Sequence, residues 1–281
     1  KFGNRLISGN TINVGVLLPA SNIYPDMADN FYSGLNLFFS KEQDKTSRYT
    51  VNLKQESMTF GPSSVFKKSQ KLINEDRVDI LTGIIPESIS PDLRTLLEDS
   101  DKFMVANHTG ANRIDPRDQS MHIVHNSLNL WQANYTLGKW AAKNIGKKAT
   151  VVSSFYESGY DALYAFNHGF ESEGGIIIDT KITNLPAEMN TANNVISEIS
   201  KQATDLVFAS FSGTEAQNFL SDYAGSDLNG RIPLLGSGFL VDGSNSTNGK
   251  AIKSGVKTCL SWSPGFNKTI FQSEYKKMTR K

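Results

Sequence analysis

A parallel α/β architecture in two lobes is the fold class this chain predicts, and three observations carry the prediction. Short apolar runs recur at Thr11–Pro19, Asp79–Gly83, Phe103–Ala106, Thr150–Ser154, Asp205–Ala209 and Pro233–Gly236. All but the last lead through a polar or glycine turn into a stretch with helical spacing. The pattern also restarts near His122–His125 and runs through a second time. Strands alternating with helices imply parallel sheets covered on both faces. Open sheets of that kind hold ligands outside the carboxyl ends of their strands, so the strand exits are where function is to be sought.

In chain order, Ile12–Pro19 is nearly unbroken apolar sequence, as suits a strand buried on both faces. Phe31, Leu35, Leu37 and Phe38 mark a helix from about Met27 to Lys41. Tyr49–Gln55 alternates as a strand does, and Ser63–Asn74 has helical spacing with Val65, Leu72 and Ile73 inward. After the strand Asp79–Gly83, Ser90-Pro91 is a strong helix start, because serine caps free amides and proline lacks the unpaired donor. Phe103–Ala106 follows as a strand.

The second half predicts a helix over Leu130–Asn144, a strand over Ala149–Ser154 and a helix through Tyr164, Phe166 and Phe170. A strand over Gly175–Ile182 comes next, then a helix capped by Asn190 with Val195, Ile196 and Ile199 inward. Asp205–Ala209 is a strand, Gly213 to about Tyr223 a helix and Pro233–Gly236 a strand. Gly243–Lys250 is a polar loop, Gly255–Trp262 returns to strand character, and Phe266–Lys281 approaches a helix. The expected division is residues 1–121 with 256–281 in lobe 1 and 122–255 in lobe 2, joined by crossovers with a cleft between them.

The totals narrow the function. The chain has 281 residues, 38% hydrophobic and 20% charged, enough for two domains of ordinary size. With 29 basic against 28 acidic residues, the net charge of +1 offers no field for nucleic acid or an anionic membrane. The opening Lys1–Arg5 is no signal peptide, although a mature form has lost its own. Cys259, the single cysteine, sits in an apolar run and reads as inert core.

The signatures of catalysis do not assemble. Leu17–Ser21 follows the first strand where a glycine-rich phosphate loop would stand. His122 and His125, three apart on a strand, face opposite sides and do not share a metal. Gly236-Ser237-Gly238 is a turn, not a nucleophile elbow, and Glu157-Ser158-Gly159 lacks an arranged base. No catalytic residue, metal or cofactor is expected.

Polar and aromatic residues at the strand exits are what remain. Ser21 and Tyr24 leave the first strand. Ser88 precedes the cap that Ser90 supplies, so its hydroxyl is open to a ligand. Asn107, His108 and Thr109 leave another strand without capping duty. Tyr156 and Tyr160 lie in a turn, where a tyrosine offers a flat wall and one hydroxyl. Ser212-Gly213-Thr214-Glu215 reads either as a capping box or as a ligand contact. Phe211, Gly238 and Phe239 flank two further exits, and Trp131 and Asn129 open a helix as packing and cap.

Taken in this order, Val14–Pro19, Gly83–Ser90, Met104–Gly110, Thr150–Phe166, Asp205–Ala216 and Leu234–Phe239 resemble the type I periplasmic binding proteins. These are the branched-chain amino-acid-binding receptors of ABC transporters. The resemblance covers nearly the whole chain. It implies two Rossmann-like lobes that close by a hinge over a small solute, without catalysis, for delivery to a membrane permease. A ligand-sensing regulatory domain is the alternative, and an α/β enzyme the weakest reading. The resemblance further implies a monomer in the periplasm or outside the cell, compatible with lipid anchoring, and missing some C-terminal elements. It matches Ser88, Asn107–Thr109, Tyr160 and Phe211–Ser212 to ligand-contacting positions. Family members that bind amino acids commonly place an acidic residue near Gly238, whereas Ser237-Gly238-Phe239 carries no charge. An aromatic or uncharged molecule, or a carboxylate without an amine, therefore fits as well as an amino acid.

Overall fold

The structure is a computed structural model that describes residues 10–21, 26–43, 49–59, 61–86, 90–110, 119–155, 161–184, 191–241, 252, 255–260 and 270–279. Its described residues fall into two units. The first holds strands β1 (Thr11–Pro19), β2 (Thr50–Met58), β3 (Ile80–Ile84), β4 (Phe103–His108) and β5 (Ile123–Ser127). With them are helices α1 (Met27–Gln43), α2 (Pro62–Asn74) and α3 (Ser90–Ser100). The second holds α4 (Leu130–Asn144), β6 (Lys148–Ser154), α5 (Ala162–Ser172), β7 (Ile176–Thr183), α6 (Ala192–Ile199), β8 (Leu206–Ser210), α7 (Gly213–Gly225), β9 (Leu234–Gly236) and β10 (Val256–Thr258). Helix α8 (Ile270–Thr279) returns to the first unit.

Each sheet is parallel, and both have the same order. The first runs β2-β1-β3-β4-β5 and the second β7-β6-β8-β9-β10, so in each the first strand lies between the second and third. The point where the order reverses is β1/β3 in one unit and β6/β8 in the other. The repeat extends to single residues. Asp79, just before β3, accepts from the Asn13 amide at 2.8 Å. Asp205, just before β8, accepts from the Lys147 and Lys148 amides, each at 2.8 Å. Each aspartate ties the mouth of a third strand to that of the first.

Alternation along the strands feeds both faces of each sheet. In β1, Leu17 joins a core with Val65 and Leu72 of α2 and Leu93 and Leu97 of α3. Val14, Val16 and Leu18 turn to Phe31 and Leu35 of α1. In β6, Val151 packs with Leu137 of α4 and Phe166 of α5, and Val152 with Val195 of α6 and Phe219 of α7. Helix α8 lies on α1, with the Tyr275 hydroxyl donating to the Asn30 carbonyl at 3.1 Å and Glu274 paired to Lys41.

The unit boundaries differ from those expected. Residues 122–127 belong with the first unit because β5 pairs with β4 from Met104/Ile123 to His108/Ser127. The short strand β10 belongs with the second because it pairs with β9 from Leu234 to Gly236. Thr191 caps α6, accepting from the Asn194 amide at 3.4 Å. Asn190 lies outside the described residues.

Candidate functional site

In the first unit, the expected residues at the β4 exit turn out to be wired into the sheet. The Asn107 amide group donates to Thr82 Oγ1 at 3.1 Å and to the Gly83 carbonyl at 3.0 Å. Its Oδ1 accepts from Asn126 at 2.7 Å, and its backbone carbonyl from the Ile85 amide at 3.0 Å. Asn107 therefore cross-links the exits of β3, β4 and β5, which is a positioning duty. Beside it, His108 Nε2 lies 3.1 Å from His125 Nδ1, the rings edge to face at 5.2 Å. His122 turns the other way, bonding the Lys102 carbonyl through Nδ1 at 2.8 Å and stacking on Phe103. The two histidines of the pair His122/His125 thus do point apart. No group of three or more His, Cys, Asp or Glu gathers as a metal site among the described residues. Thr109 and Ser21 are half-buried at the β4 and β1 exits.

In the second unit, two neighbouring strands end in serine and a third is followed by one. Ser153 and Ser154 close β6, Ser210 closes β8 and Ser237 follows β9. With Ser212 they are all buried. Ser153 Oγ donates to the Ser210 carbonyl at 3.2 Å across the point where the strand order reverses. The hydroxyls of Ser210 and Ser237 have no hydrogen-bond partner among the described residues. A buried hydroxyl without a partner costs about 1–3 kcal/mol, so two of them at strand exits mark a place suited to a polar ligand group. Ser153, Ser154, Ser210 and Ser237 escaped the sequence reading because each ends or directly follows an apolar strand. The available signal was that Val152-Ser153-Ser154, Ala209-Ser210 and Gly236-Ser237 end alike.

Other candidates at these exits take different places. Phe211 is 2% exposed and stacks on Phe219 at 4.4 Å, so its ring belongs to the α6/α7 core. Ser212 stands at the N-cap of α7 but makes no side-chain capping bond. The capping box does not form, because Glu215 Oε1 instead accepts from Asn184 at 2.7 Å. Asn129 holds the N-cap of α4 in a left-handed conformation, φ 53°, also without a side-chain cap. Gly238 is buried, and a Cβ there meets Leu260 Cδ2 at 2.1 Å and the Cys259 carbonyl at 3.3 Å. An acidic side chain at that position has to displace Leu260. Phe239 is half-buried in a short 3-10 helix, Gly238–Val241. Trp131 stacks on Tyr135 at 5.2 Å. Tyr24, Ser88, Tyr156 and Tyr160 lie outside the described residues.

Among the described residues no helix is long and apolar enough to cross a membrane. No curated protein sequence matches the chain significantly. Solved structures do match its fold. The solute-binding protein of an ABC transporter from Rhodopseudomonas palustris BisB5, in complex with 3,4-dihydroxybenzoic acid, aligns with a TM-score of 0.79 at 22% identity, over 96% of this chain and 74% of that one. An ABC-transporter solute-binding protein from R. palustris in complex with benzoate aligns at 0.77 and 22%, over 96% and 75%. The branched-chain amino acid transporter substrate-binding protein of Streptococcus pneumoniae, in complex with isoleucine, aligns at 0.72 and 10%, over 96% and 78%. At these identities the likeness is one of fold. The family model described as periplasmic binding protein matches residues 11–281, and the chain belongs to that family.

Proposed function

We propose that this protein is the non-catalytic solute receptor of an ABC-type permease, working outside the cytoplasm as its family description implies, and that its solute is a small aromatic carboxylate. The observation that carries the choice of solute is the β9 exit. It presents Ser237, Gly238 and Phe239 and no carboxylate for an ammonium group, and Leu260 occupies the space a side chain at Gly238 needs. The unpartnered hydroxyls of Ser210 and Ser237 are donors of the kind a carboxylate or phenol accepts from. The half-buried Phe239 adds an apolar ring beside them. Benzoate and 3,4-dihydroxybenzoic acid in two proteins of the same fold support the reading, since this chain's exit fits ligands of that shape better than an α-amino acid. Ser21, Tyr24, Ser88, His108, Thr109, Tyr156, Tyr160 and Ser212 complete the proposed contact set, and Asn107 ties together the β3, β4 and β5 exits of the first unit.

Calorimetric titration with benzoate, 4-hydroxybenzoate and isoleucine tests the solute class. Binding of the benzoates with no heat from isoleucine is the expected result, and the reverse order overturns it. Ser237→Ala then tests the site. It is expected to weaken benzoate binding by roughly 1–3 kcal/mol while leaving the free protein at least as stable, because the lost hydroxyl has no partner among the described residues. Unchanged affinity removes Ser237 from the contact set.

A further inference from the structure

A second concavity lies wholly within the second unit, on the α6/α7 side of its sheet. It has a volume of about 430 Å³. Thr183 at the end of β7, Asn184 after it, and Glu215, Asn218, Ser221 and Asp222 along α7 line it. Two features set it apart from an ordinary groove between helices. Thr183 is 1% exposed, and its Oγ1 has no partner among the described residues. Glu215 is bonded only on one side: Oε1 accepts from Asn184, while Oε2 is buried with no partner among the described residues. A carboxylate oxygen left so is costly, and the cost is relieved by a donor. Turning the Glu215 carboxylate into the cavity exchanges the Asn184 bond at Oε1 for bonds to the entering donor.

The charge around the cavity decides what kind of donor. Its described lining includes two carboxylates and no Lys, Arg or His. Burial pushes the Asp222 carboxyl above its ordinary value, as expected of an acid with no cation beside it. The first turn of α6 also meets the cavity at Thr191 and Ala192, and a helix start favours an anion. That end amounts to about half a positive charge, against two formal negative ones. The Thr191 hydroxyl is moreover already committed to the Asn194 amide. The cation side prevails. A volume of this size suits a small organic molecule more than a bare ion.

We infer that this cavity is a binding site for a small primary amine, whose ammonium group is held by Glu215 and the Thr183 hydroxyl, with Ser221 and Asp222 farther along α7 lining the rest of the cavity. The site adjoins the serine exits proposed for the aromatic solute, since Phe211 lines it and Thr183 pairs with Ser154, but its ligand is of the opposite charge, so each is tested by its own titration.

The test is titration of the full chain with 1,4-diaminobutane, followed by calorimetry and by amide NMR shifts. Tetramethylammonium, which carries the charge without N–H donors, serves as comparison, and benzoate is titrated in parallel. Saturable diamine binding is expected, with little from tetramethylammonium. Glu215→Gln is expected to weaken diamine binding by about 10- to 100-fold, the range for a hydrogen bond to a charged group, and to leave benzoate binding as it was. Thr183→Val keeps the shape and removes the unpartnered hydroxyl. It is expected to lower diamine affinity and raise the Tm of the free protein, and it decides the question if Glu215→Gln does not fold. Absence of saturable diamine binding at millimolar concentration overturns the inference, as does equal binding by the folded variants.

Discussion

Glu56 shows how a single residue carries a pH dependence. It sits on β2, with Lys68 and Lys71 of α2 both donating to its carboxylate, Lys68 at 2.7 Å. Those two hydrogen bonds hold the carboxyl below its usual value near 4.5, against the opposing effect of burial. A lowered folded pKa means that the folded state binds the proton less readily than the unfolded chain. The contribution is therefore complete above the ordinary carboxylate range and is lost as pH falls through the depressed folded value. Urea unfolding from about pH 6 down to about pH 3 is expected to show Glu56→Gln less stable than wild type at the upper end, with the gap closing toward the lower. A gap that stays constant with pH excludes this account. Cys259 illustrates the opposite case. Burial pushes its thiol up and keeps it a poor nucleophile, in keeping with its packing beside Leu235 and Phe208.

Between elements, the tightest fit is the crossing of α4 and α5. A Cβ on Gly138 falls 2.3 Å from the Phe166 carbonyl oxygen, and one on Gly169 falls 2.1 Å from the Tyr135 carbonyl oxygen. The atoms in the way are backbone, so a side chain forces the helices apart instead of turning a rotamer. Gly169→Ala is expected to destabilise the second unit by about 1–3 kcal/mol, despite alanine's better helix propensity, as read from a thermal melt. A neutral or stabilising result means that the helices separate at little cost. Gly83 meets a comparable limit between strands, where a Cβ lies 2.5 Å from the Leu17 carbonyl oxygen. In both places glycine is required for close approach. Helical spacing located α4 to the residue and α5 closely, but it says nothing of which partner crosses where.

For the molecule as a whole, the two units repeat one topology, and the likeness reaches the paired roles of Asp79 and Asp205. A receptor that binds its solute only when folded is stabilised by it. At one hundred times Kd the gain is about 2.7 kcal/mol, enough to raise Tm by several degrees in a chain of this size. Benzoate is expected to give such a rise and Ser237→Ala to reduce it at equal concentration, both followed by differential scanning calorimetry. A benzoate series without any rise sets the aromatic reading aside while leaving the fold and family untouched.

The order of strands and helices was legible in the amino-acid sequence, because a buried parallel strand must be nearly all apolar and a covering helix must repeat its apolar face every three to four residues. That a ligand is to be sought at the strand exits followed from the same pattern. Pairing partners were decided only in three dimensions. Residues 122–127 read as the start of a new lobe because the pattern restarts there, yet β5 completes the sheet of the first unit. Asn107 reads as a ligand contact until Thr82, Gly83 and Asn126 are seen to occupy its amide, and Phe211 reads as a pocket wall, which it is beside α7, without the Phe219 ring on which it stacks. The physical reason is common to all three. Periodicity is local and records which face of an element is buried, whereas hydrogen-bond partners and ring contacts join residues far apart in the chain, and only the folded sheet brings those together.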